Sequence, residues 1–322
     1  MKLTRRRFVA LSGAAISLPF TGLARAATYP SRPVRILVGY SAGGVSDILA
    51  RLLAQKLSER FNQTFVVDNR PGAASNVAAS TLIHAAPDGY TLLLAGISNA
   101  INVSLYQKLD FDFVHDVAPI SLISRSPLVM VVRPDFPAKT VPEFIAYAKA
   151  HAGKLNMGSP GTGGSSHVGG ELFQMLAGIK MVHVAYRGSP PALSDLMAGR
   201  IDVMFDNIAS SISLIQSGKL RALAVSSRAA ALPDAPLISQ FLPGYEAYVW
   251  NGIVAPKNCP PEIVAKLNGE IKEVVNDPAY KAQLVKLGNT PDFDSPDDFA
   301  RLIAADSAKW AKVISYTGIK PE

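Results

Sequence analysis

Two rhythms of apolar positions alternate along this chain. Short runs of strand length occur at 34–38, 64–67, 90–94 and 128–132. Between the first two, Ile48, Leu49, Leu52, Leu53 and Leu57 return at helical spacing, and the turn Asn69-Arg70-Pro71-Gly72 follows the second. After 128–132 a helix is predicted to open near Pro142, with Phe144, Ile145 and Ala148 on one face. A second series begins there, with strands near 155–157, 181–185, 202–205 and 220–225 and helices between them. Ser189-Pro190-Pro191 predicts a serine-capped helix whose prolines fall in the first turn, where they cost least, and whose inner stripe is Leu193, Leu196 and Met197. Strands alternating with helices imply an α/β fold whose mostly parallel sheet is covered on both faces. Beyond 228 the texture changes to proline-rich connections, then to helices starting near Pro261, Pro278 and Pro296.

The two series predict two lobes, residues 27–124 plus 229–322 and residues 125–228, with the chain crossing between them near 125 and again near 228. A length of 322 residues agrees, because single cores stop growing near ~250 to 300 residues. Two crossings make a hinge that permits closure around something held between the lobes.

Composition narrows the function. With 48% hydrophobic and 18% charged residues the chain can bury a substantial core. Its net charge of +7 invites a nucleic-acid partner, but five of the 32 basic residues lie in residues 1–26 with no acid. The remainder holds 27 basic against 25 acidic residues, a net of +2, so no nucleic acid is expected. Those first 26 residues have a basic start, an apolar stretch broken by Gly and Pro, and Ala24-Arg25-Ala26 as a cleavage site, the pattern of an export signal. Thr4-Arg5-Arg6-Arg7-Phe8-Val9 is similar to a twin-arginine signal. Cys259 is the single cysteine, so neither a disulfide nor a lipid anchor near the cleavage point is expected. The five histidines stand apart without metal-ligand spacing, and no metal or cofactor is expected.

Gly39-Tyr40-Ser41-Ala42-Gly43 matches the G-x-S-x-G elbow of serine hydrolases. It follows the first strand of the mature chain, however, where no upstream loop can supply half of an oxyanion hole. The other reading is an anion nest: small residues let the backbone approach a ligand, and the amides opening the next helix point at it. A second loop of this kind, Gly158-Ser159-Pro160-Gly161-Thr162-Gly163-Gly164-Ser165-Ser166-His167, lies in the other predicted lobe. Two nests facing one cleft suit a carboxylate. Neither contains the P-loop lysine that meets terminal phosphates. Micromolar affinity needs ~8 kcal/mol and a hydrogen bond to a charged group supplies ~1.5 to 3 kcal/mol, so several backbone and hydroxyl donors suffice without an arginine. Asp206 ends a strand where an α/β ligand would sit; it either accepts from a ligand or caps the next helix. His167 either reaches the cleft or ties its loop to its helix.

Several motifs in fixed order resemble a known family. They are Tyr29-Pro30-Ser31-Arg32-Pro33, Ala42-Gly43-Gly44 with Asp47, Asn69-Arg70-Pro71-Gly72-Ala73, Pro87-Asp88-Gly89-Tyr90-Thr91-Leu92, the loop from Gly158 to His167, Gly218-Lys219-Leu220-Arg221-Ala222-Leu223-Ala224-Val225, Leu232-Pro233-Asp234 and Trp250-Asn251-Gly252. The family is the extracytoplasmic solute receptors of tripartite tricarboxylate transporters, the TctC-like or Bug proteins. The resemblance implies a type II periplasmic binding fold, two doubly wound lobes joined by two crossover strands. It implies a monomeric, non-enzymatic clamp that takes a small organic acid in the periplasm and presents it to transporter membrane subunits. Carried onto this sequence, the family's pincer falls on Ala42, Gly43 and Gly44 and on Ser159, Gly163, Gly164, Ser165 and His167. Ser98, Asn99, Tyr186 and Asp206, which follow strands, are further candidate contacts. The chain departs from the family in having Gly39-Tyr40-Ser41 where Pro-Phe-Pro is frequent, and Gly164 where Ser or Thr is frequent. A secreted hydrolase using Ser41 and a signalling receptor using the same clamp are the competing readings.

Overall fold

The first strand, β1 (Val34–Val38), is buried at four of its five positions and lies inside a sheet, as its apolar run requires. In this computed structural model, which describes residues 29–106 and 108–320, the chain continues as α1 (Val45–Phe61), β2 (Phe65–Asn69), α2 (Asn76–Ile83), β3 (Thr91–Gly96), α3 (Ile97–Leu105) and β4 (Val117–Val132). Then come α4 (Val141–Ala150), β5 (Asn156–Ser159), α5 (Ser165–Ala177), β6 (Val182–Ala185), α6 (Ser189–Met197), β7 (Val203–Asn207), α7 (Ile208–Gln216) and β8 (Arg221–Val225). The last part holds β9 (Tyr248–Pro256), α8 (Pro261–Asn276), α9 (Pro278–Lys286), β10 (Thr290–Pro291) and α10 (Pro296–Thr317). The export signal expected at residues 1–26 lies outside the described residues.

The strands run in the order β2-β1-β3-β9-β4-β7-β5-β6, with β8 and β10 also paired to β4. β1 pairs in parallel with β2 and β3, and β5 in parallel with β6 and β7. The centre differs from the expected mostly parallel sheet: β9 runs antiparallel to both β3 and β4, and β4 antiparallel to β7 and β8. β4 is the shared element. Residues 117–127 pair with β9, and from Leu128 onward the same strand pairs with β7 and β8. Sequential β-α-β units therefore sit on the two flanks, with long-range antiparallel pairing between them.

Helix starts follow local chemistry. Ser295 accepts from the Asp298 amide and Asp277 from those of Ala279 and Tyr280, with proline opening each helix, so α9 and α10 begin where the sequence predicts. The expected serine cap at Ser189 is corrected: Gly188 occupies the cap, and the Ser189 hydroxyl instead donates to Asp206 at 2.6 Å. In α10 the buried stripe Phe299, Ile303, Trp310 and Val313 includes one acid, Asp306. Its carboxylate accepts from the indole N–H of buried Trp250 on β9 at 2.7 Å and pairs with Lys309 at 2.6 Å. Through this contact α10 is held to the sheet, and it packs on α3 and α5 as well. One apolar cluster accordingly contains Leu37 and Leu93 from the first flank, Met130 and Phe205 from the second, and Trp310.

Removing that carboxylate leaves a buried indole donor unpaired. Asp306→Ala is expected to lower the unfolding free energy by ~1–3 kcal/mol, read from urea denaturation, with a smaller loss for Lys309→Ala, whose side chain is partly exposed.

Candidate functional site

β1 and β5 end in matching loops. Ser41-Ala42-Gly43-Gly44 leads into α1, and Gly161-Thr162-Gly163-Gly164 leads into α5. Gly43 and Gly163 take φ values of 82° and 76°, a left-handed conformation that costs little only without a Cβ. Gly44 and Gly164 then sit as extended caps, with ψ of 168° and 165° and no side chain to accept from the helix. The first intrahelical bonds are Ile48 N–H to Gly44 O and Val168 N–H to Gly164 O, both 3.0 Å. The amides of the preceding first turn are thus left without helical acceptors, at the positive end of each helix dipole.

In both loops the amide of the left-handed glycine is held by the side chain four residues on. Gly43 N–H donates to Asp47 Oδ2 at 2.9 Å, and Gly163 N–H donates to His167 Nδ1 at 3.0 Å. The Arg51 guanidinium, which donates to Asp47, holds the Asp47 carboxyl down at about 2. His167 lies flat on His183, with ring centroids 3.5 Å apart. Burial, together with His167 beside it, holds His183 down at about 4.

A cleft of ≈ 310 Å³ is lined by Tyr40, Ala74 and Ser98 from the first flank and by Pro160, Gly161, Thr162, Gly164, Ser165 and Ser166 from the second. Of the residues expected to touch a ligand, Ser98, Gly164 and Ser165 line it. Ala42, Gly43 and Gly44 begin two residues after Tyr40 and are exposed; they do not line the cleft themselves. Gly163 packs against α3: a Cβ built there would lie 2.2 Å from Leu105 Cδ2, so the two flanks touch at this point. The other candidates direct their polar atoms into the chain. Asn99 accepts from the Gly96 amide at 3.0 Å, and buried Ser159 donates to Gly161 O at 2.9 Å. Tyr186 donates to Asp195 at 2.8 Å. Asp206, fully buried, accepts from Ser189 and Ser211 at 2.6 Å each, and burial raises its pKa. Ser159 and His167 act on the cleft loop itself, while Asp206 stabilises the elements behind it.

Sequence reasoning missed Tyr40 and Ala74 as lining residues. The Tyr40 hydroxyl donates to Ser98 Oγ at 3.0 Å. Ala74 sits in a run of three left-handed residues, Ala73, Ala74 and Ser75, with φ of 45°, 50° and 79°. Such a run costs roughly 1–2 kcal/mol per residue, and nothing in Ala-Ala-Ser announces it. Asn102 steadies it, donating to Ala74 O at 2.9 Å and to Asn76 Oδ1 at 2.8 Å. Ser166 was read as part of its loop without a role. It is 4% exposed, and its Oγ has no partner among the described residues.

The two left-handed glycines differ in surroundings. A Cβ at Gly43 meets nothing within 4 Å, so Gly43→Ala should cost only backbone strain, about 1–2 kcal/mol. Gly163→Ala should cost at least ~1 kcal/mol more, because Leu105 must also move. Chemical denaturation of both variants measures the difference, and equal losses would mean that the Leu105 contact does not constrain the loop.

Residues 49–319 match the family described as tripartite tricarboxylate transporter family receptor. The protein BugT of Bordetella pertussis is 33% identical over 318 residues, covering 97% of this chain and 96% of the relative. Among solved structures, R. palustris Rpa4515 with adipate is 34% identical with a TM-score of 0.78, covering 91% of this chain and 100% of that one. MatC from Rhodopseudomonas palustris with bound malate is 30% identical with a TM-score of 0.75, covering 89% and 100%. On the shared fold and a family match over most of its length, this chain belongs to the tripartite tricarboxylate transporter family of periplasmic solute receptors, the Bug proteins.

Proposed function

We propose that the cleft captures a small organic acid, a dicarboxylate of the adipate and malate class, and that the protein delivers it to transporter membrane subunits after export of the chain by residues 1–26. The observation that carries this is a cleft whose lining holds no charged side chain and which combines the uncapped, glycine-led start of α5 with Tyr40, just upstream of the equally uncapped start of α1 at Gly44. Such a site favours an anion through oriented amides, and polarity without fixed charge keeps release cheap. Ser98, Ser165 and Ser166 add hydroxyls to the lining, and the buried Ser166 Oγ has no partner among the described residues. The cleft volume is at the lower end of small-molecule sites and suits a short-chain acid. The solved relatives with adipate and with malate support the same class.

The lobes proposed for closure are residues 27–124 with 229–322 and residues 125–228. β4 carries one crossing, since its pairing passes from β9 to β7 and β8 within a single strand. A ligand bridging both loops stabilises the closed arrangement by contacts that the open one lacks. The monomer acts alone in this reading. Ser41 is a loop residue whose carbonyl accepts from the Gly44 amide, and the rings of His167 and His183 are engaged with Gly163 and Ser159 of the second loop.

Isothermal titration with succinate, malate and adipate tests the proposal. At least one acid is expected to bind in the micromolar range, its dimethyl ester not at all, and Ser165→Ala and Ser166→Ala each to weaken it about 5- to 30-fold. Binding unchanged in both serine variants would place the site elsewhere.

A further inference from the structure

The two loops hold their left-handed glycine by the same device but with opposite chemistry. Asp47 and His167 both stand at the third position of their helix, and both accept the glycine amide through an atom attached to Cγ. One turn further on, Asp47 meets Arg51 at 3.0 Å, whereas His167 meets Glu171, with Nε2 facing Oε1 at 3.5 Å. The Asp47–Arg51 pair keeps the first acceptor ionised through neutral and mildly acidic conditions. An imidazole accepts through Nδ1 only while that nitrogen is unprotonated, so the second acceptor is lost when a proton arrives.

The geometry fixes the tautomer. Because Nδ1 accepts from Gly163, the ring proton of neutral His167 is on Nε2, directed toward Glu171. That side of the ring lines a second cavity, ≈ 700 Å³, behind the loop, which Glu171, Lys180, His183, Tyr316 and Lys320 also line. Glu171 faces the ring from its own helix. His183 from β6 is stacked on it, and Lys180 and Lys320 line the same cavity. His183 also reaches the cleft loop, since its Nε2 lies 2.7 Å from Ser159 Oγ, whose proton is directed to Gly161 O. The stacked pair thus steadies Gly161 and Gly163 together from behind.

We propose that His167 is a positioning residue: neutral, it holds the Gly163 amide and shapes the second loop for an anion, and proton uptake at Nδ1 frees the loop and weakens binding. This rests on the reading of the cleft as the acid site. The loops then respond differently to acid, the first staying fixed while the second lets go.

The test compares wild type with His167→Asn and His167→Ala, titrating malate at about pH 7.5 and about pH 5. Asn keeps a side-chain oxygen where Nδ1 stands and does not titrate, and comparing proteins cancels the protonation of malate itself. Wild-type affinity is expected to fall about five- to tenfold more than that of His167→Asn over this range, and His167→Ala to bind about five- to tenfold more weakly than wild type at pH 7.5. Equal pH slopes for wild type and His167→Asn would overturn the proposal. In ligand-free wild type the Gly163 amide proton resonance should titrate together with the His167 ring. An amide that ignores pH would also overturn it, even if His167→Ala fails to fold. If malate, succinate and adipate all fail to bind wild type while that amide still titrates, the reading of the cleft is what has failed, and the hold of His167 on the loop stands.

Discussion

A helix that begins at a glycine with nothing to cap it leaves its first-turn amides seeking an acceptor. This protein builds that situation twice, at Gly44 and at Gly164, and brings the loops before both helices to neighbouring places. The left-handed turn at the preceding glycine is needed to bring the chain from the strand end into the helix with the amides outward. Its own amide would compete for the ligand or be stranded, and in both loops a side chain of the first helical turn removes it from contention. Binding capacity thus arises from the backbone, with side chains used to decide which amides remain available.

Keeping such loops in place requires rigid surroundings, and the structure concentrates its buried polar groups near them. Ser75, the last residue of the left-handed run that presents Ala74 to the cleft, is buried together with Asn76, Asn99 and Asn102 beside it. Their amide-to-carbonyl and amide-to-amide bonds offset the strain of that run. On the other flank, Asp206 with Ser189 and Ser211 fixes the starts of α6 and α7 against the end of β7. Both networks determine where lining atoms stand.

Local patterns made the flanks legible and the centre obscure. β1 stands where its apolar run predicts, and the helices opening at Pro261, Pro278 and Pro296 were readable because proline at a helix start has a single conformational reason. β9 was not found. Its sequence, Tyr248 to Pro256, follows a proline-rich stretch and is interrupted by Asn251 and Gly252, and its reason for being a strand is pairing with β3 and β4, far away in sequence. The first half of β4 hid for the same cause: Pro119, Ser121, Ser124, Ser126 and Pro127 interrupt its apolar pattern, although the three serines are fully buried in the sheet. At the site, glycine-rich loops gave away the two nests. The contributions of Tyr40 and Ala74 depend on a hydroxyl bond to Ser98 and a left-handed alanine, and neither leaves a mark on hydrophobic spacing.

Absence of a charged group from the cleft lining explains why whole-chain charge was a poor guide to the ligand. A guanidinium aimed at the guest would hold a dicarboxylate tightly but would also have to be desolvated in the empty cleft, and a receptor that passes its cargo onward gains little from an almost irreversible grip. Oriented amides and hydroxyls give moderate attraction in a fixed geometry. Several cations are paired with acids outside the lining: Arg51 with Asp47, Arg200 with Asp195, Arg125 with Asp292 and Asp294. Each neutralises an acid that shapes or supports the sheet ends. Within the site, the Asp47 and His167 side chains select the conformation of the loops and leave recognition to their backbone.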